Sequence, residues 1–346
     1  MKKVLILTIS TGQGHNQAAE SVSDSFKDKG YEIVKHDFLK NNSKFLNDII
    51  VKGYELMASK FPKTYGAFYK LTDTRIVNAL LNFPFFFSRR KVSKLITEIK
   101  PDVIVATHAL STRIISELKK KGLNIPYILI VKKSLIERNI DAEKIYPLGI
   151  PINKKFYTEI TNASELKDKT YFNLLLMSGS LGLNQISSVL KELLKNPNKL
   201  RITVVCGKNI KLKNTLTQYC NENLFQNKKL HILGFTKDVS YLMDYCDVII
   251  SKPGGLTVTE SIVKNIPLII PFAIPGQENE NIDFLTSERY SILVNNLTDI
   301  NDIINDLINN PKSLSDRKNR LKSLASTYSL DKIVYVAEDL INKSKK

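Results

Sequence analysis

Short apolar runs, each followed by a glycine-bearing turn and a longer stretch mixing apolar with charged residues, recur along the whole chain. Residues 4–9 read as a buried strand. A turn at residues 12–14 leads into a helix to about Lys29, Gly30 closes it, and residues 31–38 form a second strand. After Lys100-Pro101-Asp102 come a strand at 103–107, a helix from Ser111 to about Lys121 ended by Gly122, and a strand at 126–131. The pattern restarts at 172–177 and continues through 201–206, 231–233, 248–250 and 267–271, while 301–344 reads as charged amphipathic helices. Near-continuous apolar strands alternating with helices predict parallel sheets covered on both faces. The expected fold class is α/β, with two doubly wound Rossmann-like domains facing a cleft. These are residues 1–148 and 149–346, with a linker near 149–164 and the last helix available to pack back on the first domain.

At 346 residues the chain exceeds one ordinary core, which agrees with two domains. Cys206, Cys220 and Cys246 have no paired-ligand spacing, so neither a disulfide framework nor a zinc site is indicated. The opening MKKVLILTIS is too short an apolar run for a signal peptide, and no stretch reaches the length needed to span a bilayer. Lys and Arg total 51 against 34 Asp and Glu, a net charge of +17 that implies an acidic partner. Nucleic acid is the weakest of the acidic candidates, because no recognition helix, RNP-type aromatic pattern or zinc finger appears. An anionic membrane and a nucleotide remain.

Residues 247–281 carry the clearest chemistry. The apolar run Val248-Ile249-Ile250 enters Ser251-Lys252-Pro253-Gly254-Gly255, and a helix opens with Leu256-Thr257-Val258-Thr259-Glu260. Glycines at a strand-to-helix turn let backbone N–H groups approach an anion, and the helix dipole favours negative charge there. Glu260, about a turn further, is unsuited to a phosphate but can accept hydrogen bonds from sugar hydroxyls. Gln277, Glu278 and Asn281 put amide and acid groups on a second loop, suited to a polyol. Together they point to a nucleotide sugar. Lys252 reads as a solvated lysine, and Asp247, His36, His231 and the cysteines as structural.

Earlier in the chain stand Thr11-Gly12-Gln13-Gly14-His15 with Ala18-Ala19, Met177-Ser178-Gly179-Ser180 with Gly182, Cys206-Gly207-Lys208-Asn209, and Gly234-Phe235. With Lys252-Pro253-Gly254-Gly255, Thr257, Glu260, Gly276-Gln277-Glu278 and Asn281, this ordered set resembles the processive diacylglycerol glycosyltransferases and monogalactosyldiacylglycerol synthases. The resemblance covers nearly the whole chain. It implies the GT-B architecture shared with the lipid II synthase glycosyltransferases, and an inverting transfer of hexose from a UDP-sugar to diacylglycerol or glycosyl-diacylglycerol. Glucose is favoured over galactose by the bacterial relatives. No cofactor or metal is implied, since helix dipoles and N–H groups would stabilise departing UDP.

The resemblance also assigns residues. Backbone near Gly234-Phe235 would hold uracil and Glu260 the ribose. Gly254, Gly255, Leu256, Thr257 and Ser180 would hold the diphosphate, with Gly179 in a turn read as a phosphate contact, and Gln277 with Glu278 the hexose; Gly207, Pro253 and Asn281 complete the donor-binding set. The first domain would take the acceptor, with Gly12, Gly14 and His108 lining its site; His108 reads equally as an ordinary loop or core histidine. His15, at a helix N-terminus that favours a neutral imidazole, would take the acceptor hydroxyl's proton. Phe83-Pro84-Phe85-Phe86-Phe87 followed by Ser88-Arg89-Arg90-Lys91, with Lys60, Lys63, Tyr65, Phe68, Tyr69 and Lys70 upstream, reads either as the start of a core helix or as a membrane-docking surface. In the docking reading Phe85 and Phe86 enter the bilayer interface and Arg89 and Arg90 attract anionic lipid, placing the protein peripherally on the cytoplasmic face of the membrane.

One stretch departs from the family pattern. After the strand ending at Val131 the family has a Thr-Asp-Phe segment, a His, a Trp and one more strand, whereas Lys132-Lys133-Ser134 follows at once here. Roughly twenty residues are absent, more than ordinary loop variation explains. The N-terminal sheet is expected to lack a strand, and the acceptor side an Asp and a His. One alternative function is therefore a UDP-sugar- or lipid-binding protein with impaired transfer; a separate alternative is a transferase of UDP-N-acetylglucosamine to a polyprenyl lipid. Relatives of the latter kind usually have Ser-Gly-Ala where Pro253-Gly254-Gly255 stands.

Overall fold

The computed structural model describes residues 1–9, 13–37, 82–130, 144–158, 168–179, 182–274 and 278–344, with the backbone alone for 13, 82–88, 109, 110, 112 and 113. The chain divides into two compact units, residues 1–154 with 327–346, and residues 155–326.

In the first unit β1 (Lys3–Thr8), α1 (Gln13–Asp28), β2 (Glu32–Asp37), α2 (Asn82–Ile99), β3 (Val103–Ala106), α3 (Ala109–Lys120) and β4 (Tyr127–Leu129) follow one another. The described strands form a parallel sheet in the order β2-β1-β3-β4. Successive side chains of a strand point to opposite faces, and β1 uses both. Val4 and Ile6 join Ala19, Val22 and Phe26 of α1 and Val334, Ala337 and Ile341 of the C-terminal helix (Asp331–Ser344). Leu5 and Leu7 join Val92 and Ile96 of α2 and Ile115 and Leu118 of α3. Both helix stops foreseen at glycine are Schellman closures. At Gly30 (φ 79°) the N–H reaches Lys27 O and that of Tyr31 reaches Phe26 O, and Gly122 with Leu123 repeats this on Lys119 and Leu118.

In the second unit the strands are β5 (Phe172–Met177), β6 (Leu200–Val205), β7 (Lys228–Leu233), β8 (Val248–Ile250), β9 (Leu268–Ile270) and β10 (Ser291–Leu293). They form a parallel sheet ordered β10-β9-β8-β5-β6-β7. The helices are α4 (Gln185–Leu193), α5 (Ile210–Glu222), α6 (Val239–Asp244), α7 (Gly255–Val263), α8 (Asn279–Ser287), α9 (Ile300–Asn309) and α10 (Pro311–Ala325). Leu174 and Leu176 of β5 meet Ile186, Val189, Leu190 and Leu193 of α4 and Ile300, Ile304 and Leu307 of α9. Burying such a leucine contributes about 1.5–3 kcal/mol. The α/β class with two parallel-sheet units is as the sequence predicts.

Each sheet reverses its strand order at one place, between β1 and β3 in the first unit and between β5 and β8 in the second. The same local device anchors both. Asp102 accepts the Lys3 N–H at 2.8 Å, and Asp247 accepts the Asn173 N–H at 2.8 Å. Each aspartate thereby satisfies a backbone donor at the start of the neighbouring strand. Ligands of doubly wound sheets bind outside the carboxyl ends of the strands at such a reversal. In these two units the places are the segments after Thr8 and Thr107, and after Met177 and Ile250.

Candidate active site

In the second unit, β8 delivers the chain to Gly254, an extended residue (φ −66°, ψ 143°) that caps α7 without offering a side chain. The first helical hydrogen bond runs from Val258 N–H to Gly254 O at 2.9 Å. The N–H groups of Gly255, Leu256 and Thr257 therefore lie in the turn whose donors have no intrahelical acceptor, the arrangement that receives a phosphate. A Cβ on Gly254 would lie 2.9 Å from Lys252 Nζ and 3.4 Å from Glu278 Oε1, so a side chain there would push the lysine tip aside.

Glu260 lies in the next turn of α7 and is only 7% exposed. Its carboxylate has no hydrogen-bond partner among the described residues, and burial pushes its pKa up to about 7. A buried acid without donors is costly unless something supplies them. Paired hydroxyls of a ribose would do so.

Across the reversal, Gly179 (φ 74°), Gly182 (φ 63°) and Gly207 (φ 58°) all take the left-handed conformation. Ser178 Oγ accepts the Leu183 N–H at 2.6 Å. Asn209 accepts the Leu212 N–H at 2.9 Å, capping α5, and donates to Gly182 O at 2.8 Å, which fastens the two glycine loops together. A Cβ on Gly182 would come 1.8 Å from Cys206 O, whereas one on Gly179 would meet nothing nearer than 3.8 Å. Gly182→Ala is therefore expected to destabilise the second unit by about 2–4 kcal/mol, and Gly179→Ala by about 1–2 kcal/mol, the strain of the conformation alone. Thermal unfolding followed by circular dichroism would order the two variants. Phe235 follows the end of edge strand β7 and is 53% exposed, open to a base.

The second loop is tied into the glycine turn. Glu278 is 2% exposed; its Oε2 accepts the Ile274 N–H at 2.8 Å, and its Oε1 forms an ion pair with Lys252. Lys252 is consequently not the solvated lysine the sequence suggests, its side chain being 19% exposed. Asn281, on α8, donates to Pro253 O at 2.6 Å and holds the glycine turn in place. Ser180 and Gln277 lie outside the described residues.

In the first unit, His15 stands in the opening turn of α1, next to Gly14, beside the carboxyl ends of β1 and β3. Its Nδ1 is 2.7 Å from the carbonyl of Thr107. A carbonyl only accepts, so Nδ1 carries the proton and Nε2 carries the lone pair, the tautomer of a base. Thr107 Oγ1 donates to Thr8 Oγ1 at 3.1 Å, joining the two strand ends beneath the imidazole. His108 meets His15 edge-on, with ring centroids 4.5 Å apart. Burial, with a smaller contribution from His15, lowers the His108 pKa to about 3, which keeps it neutral. The sequence left His108 open between two roles; the structure brings it to His15.

Gly12 lies outside the described residues, as do Lys60, Lys63, Tyr65, Phe68, Tyr69 and Lys70, and the segment after Val131 where a strand is expected to be missing. Phe85 and Phe86 fall in the backbone-only turn of α2. Arg89 on the same helix pairs with Glu117 of α3 at 2.9 Å, while Arg90 and Lys91 are exposed. No helix among the described residues is long and apolar enough to cross a membrane.

Two parallel-sheet units, each with its polar cluster at the strand reversal, define the GT-B class of glycosyltransferases. The Acinetobacter baumannii MurG crystal structure superimposes with a TM-score of 0.65 at 18% identity, over 99% of this chain and 100% of that one. The rhamnosyltransferase SpnG with thymidine diphosphate gives 0.61 at 11%, over 98% and 100%. Residues 15–131 match the monogalactosyldiacylglycerol (MGDG) synthase family and residues 173–333 the glycosyltransferase family 28 C-terminal domain. The chain thus joins a segment similar to the monogalactosyldiacylglycerol synthase family to one similar to the glycosyltransferase family 28 C-terminal domain. It is 27% identical to a processive diacylglycerol beta-glucosyltransferase of Bacillus cytotoxicus over 379 residues, 99% of this chain and 94% of that protein. It is also 27% identical to the protein of the same name from Staphylococcus saprophyticus over 376 residues, again 99% and 94%.

Proposed function

We propose that this chain is a UDP-glucose-dependent glucosyltransferase that inverts the anomeric carbon and acts on diacylglycerol at the cytoplasmic face of the membrane. Transfer of a hexose from a UDP-sugar to diacylglycerol is the activity the resemblance implies. The observation that carries the reading to this chain is its near-full-length similarity to proteins named processive diacylglycerol beta-glucosyltransferase. The donor residues assigned are those at the β5/β8 reversal, with Phe235 after β7. Gly179, Gly254, Gly255, Leu256 and Thr257 face the diphosphate, Glu260 the ribose and Phe235 the uracil, with Asn281 holding the turn.

His15 acts as general base. The acceptor oxygen attacks the anomeric carbon on the face opposite UDP and gives its proton to Nε2, while UDP leaves with the bonding pair. The charge that develops on UDP falls on the N-terminus of α7, a preorganised site for it. That arrangement supplies the stabilisation a metal would otherwise give, and we assign the reaction no cofactor.

The test offers UDP-glucose, UDP-galactose and UDP-N-acetylglucosamine with diacylglycerol or a polyprenyl lipid, and measures UDP release. Release is expected with diacylglycerol, fastest from UDP-glucose. Turnover confined to UDP-N-acetylglucosamine and the polyprenyl lipid would refute the reading. A second reading, a UDP-sugar- or lipid-binding protein with impaired transfer, has one observation in its favour. The alignments to the relatives run over 379 and 376 positions for a chain of 346 residues, and the first family match ends at residue 131, where the sequence pattern breaks.

Membrane contact is assigned to α2, where Arg90, Lys91 and Lys94 are exposed, continuing the phenylalanine run. Each cation near an anionic surface is worth about 1 kcal/mol. Arg90→Glu combined with Lys91→Glu is expected to lower binding to vesicles rich in phosphatidylglycerol at least tenfold, and to leave binding to neutral vesicles unchanged, in a flotation assay.

A further inference from the structure

We infer that Lys252 is the cation that meets the donor diphosphate, and that Glu278 is the positioning residue that holds it there. The inference rests on the donor reading above and assigns that site two roles the sequence did not suggest. The Lys252 stem crosses the β5/β8 reversal. A Cβ at Gly179 would lie 3.8 Å from its Cε, and one at Gly254 only 2.9 Å from its Nζ. The ammonium therefore sits between the two glycine turns assigned to the phosphates, at the end of the chain leading into α7. On that helix, Glu260 is 7% exposed and lacks a partner among the described residues, independent evidence that a ligand with donor groups belongs there.

The charges decide the role. A nucleoside diphosphate carries at least two negative charges, and a helix N-terminus offers the equivalent of about half a positive one. When the sugar–phosphate bond breaks, the bonding pair stays on UDP and its charge rises by one. The Lys252 ammonium adds positive charge and hydrogen-bond donors beside the phosphates, offset in part by its Glu278 partner and without any proton transfer. Lys252 is fixed to do so, because Glu278 Oε1 pairs with it while Oε2 is occupied by the Ile274 N–H. Glu278 is 2% exposed and each of its oxygens already has one partner, which fixes the carboxylate against Lys252.

The experiment compares UDP, UDP-glucose and uridine binding by calorimetry and competition in the whole chain and in Lys252→Met, Lys252→Arg and Glu278→Gln. Lys252→Met is expected to weaken UDP tenfold or more and to leave uridine, which has no phosphate, unchanged. Its kcat should fall further than its KM rises. Lys252→Arg should restore most of the UDP affinity. In Glu278→Gln, UDP and UDP-glucose affinities should move together. Removing Lys252 strands a buried carboxylate, so Lys252→Met with Glu278→Gln is measured alongside, and it should show the same selective loss of UDP. Lys252→Met binding UDP like the parent, or losing UDP and uridine equally, would overturn the role of Lys252. Loss of UDP-glucose alone in Glu278→Gln would make Glu278 a sugar ligand. A parent chain that binds neither UDP nor UDP-glucose would instead remove the donor reading itself.

Discussion

His15→Ala is expected to lower kcat for hexose transfer by about 10²–10⁴-fold, the usual contribution of a general base. UDP affinity should not change, because the role assigned to His15 is to take the acceptor's proton and not to bind the donor. The size of the effect follows from the tautomer. Thr107 O at 2.7 Å fixes the proton on Nδ1 and so leaves Nε2 to receive one. His15→Asn is the sharper control, since its amide can still donate to a carbonyl but cannot take up a proton near neutral pH. It should be as inactive as alanine. A histidine that merely solvates the start of α1 would give variants with nearly full activity, so a loss smaller than about tenfold would remove His15 from the mechanism.

The second large effect is expected at Glu260. Burial raises its pKa to about 7 in the donor-free protein. Ribose hydroxyls donate to the ionised form and favour it, so binding lowers the pKa and releases a proton. UDP affinity should therefore rise with pH through about 7 and weaken towards tenfold for each unit below it. Stability has the opposite sign. A carboxyl whose folded pKa exceeds its unfolded value contributes stability at pH below the unfolded value, and this is lost as pH rises through about 7. Glu260→Gln is thus expected to raise the melting temperature at pH 8 while weakening UDP about 10–100-fold and flattening the pH dependence, since hydrogen bonds to a charged group contribute about 1.5–3 kcal/mol. Titration calorimetry at several pH values reads the affinity and the proton release together. A pH-independent affinity in the parent chain would exclude Glu260 from the ribose.

Much of this was written locally in the chain. The apolar runs of β1, β3, β5 and β8 announce buried parallel strands, and Gly30 and Gly122 end helices through backbone geometry that needs no knowledge of the fold. The glycine turn before α7 was legible for the same reason. Edges were harder. Strand β7 begins at Lys228, three residues before the expected start, because edge-strand lysines break the apolar run without breaking the ladder. Strand β10 is three residues long and went unnoticed. The Lys252–Glu278 pair spans 26 positions and could be found only once β8 and α8 were placed together. Likewise, nothing in the order of residues joins His15 to Thr107, 92 positions away. The reversal of strand order does that, and it is a property of the sheet.

The central claim is transfer of hexose to diacylglycerol, and mass spectrometry of the lipids tests it most directly. The chain is incubated with UDP-glucose and diacylglycerol in vesicles containing phosphatidylglycerol, beside the Bacillus cytotoxicus relative as a positive control. The account predicts mono- and dihexosyl-diacylglycerol, absent from His15→Ala. An unchanged lipid profile from a chain that binds UDP, while the relative is active, would contradict it and leave a donor-binding protein in place of an enzyme.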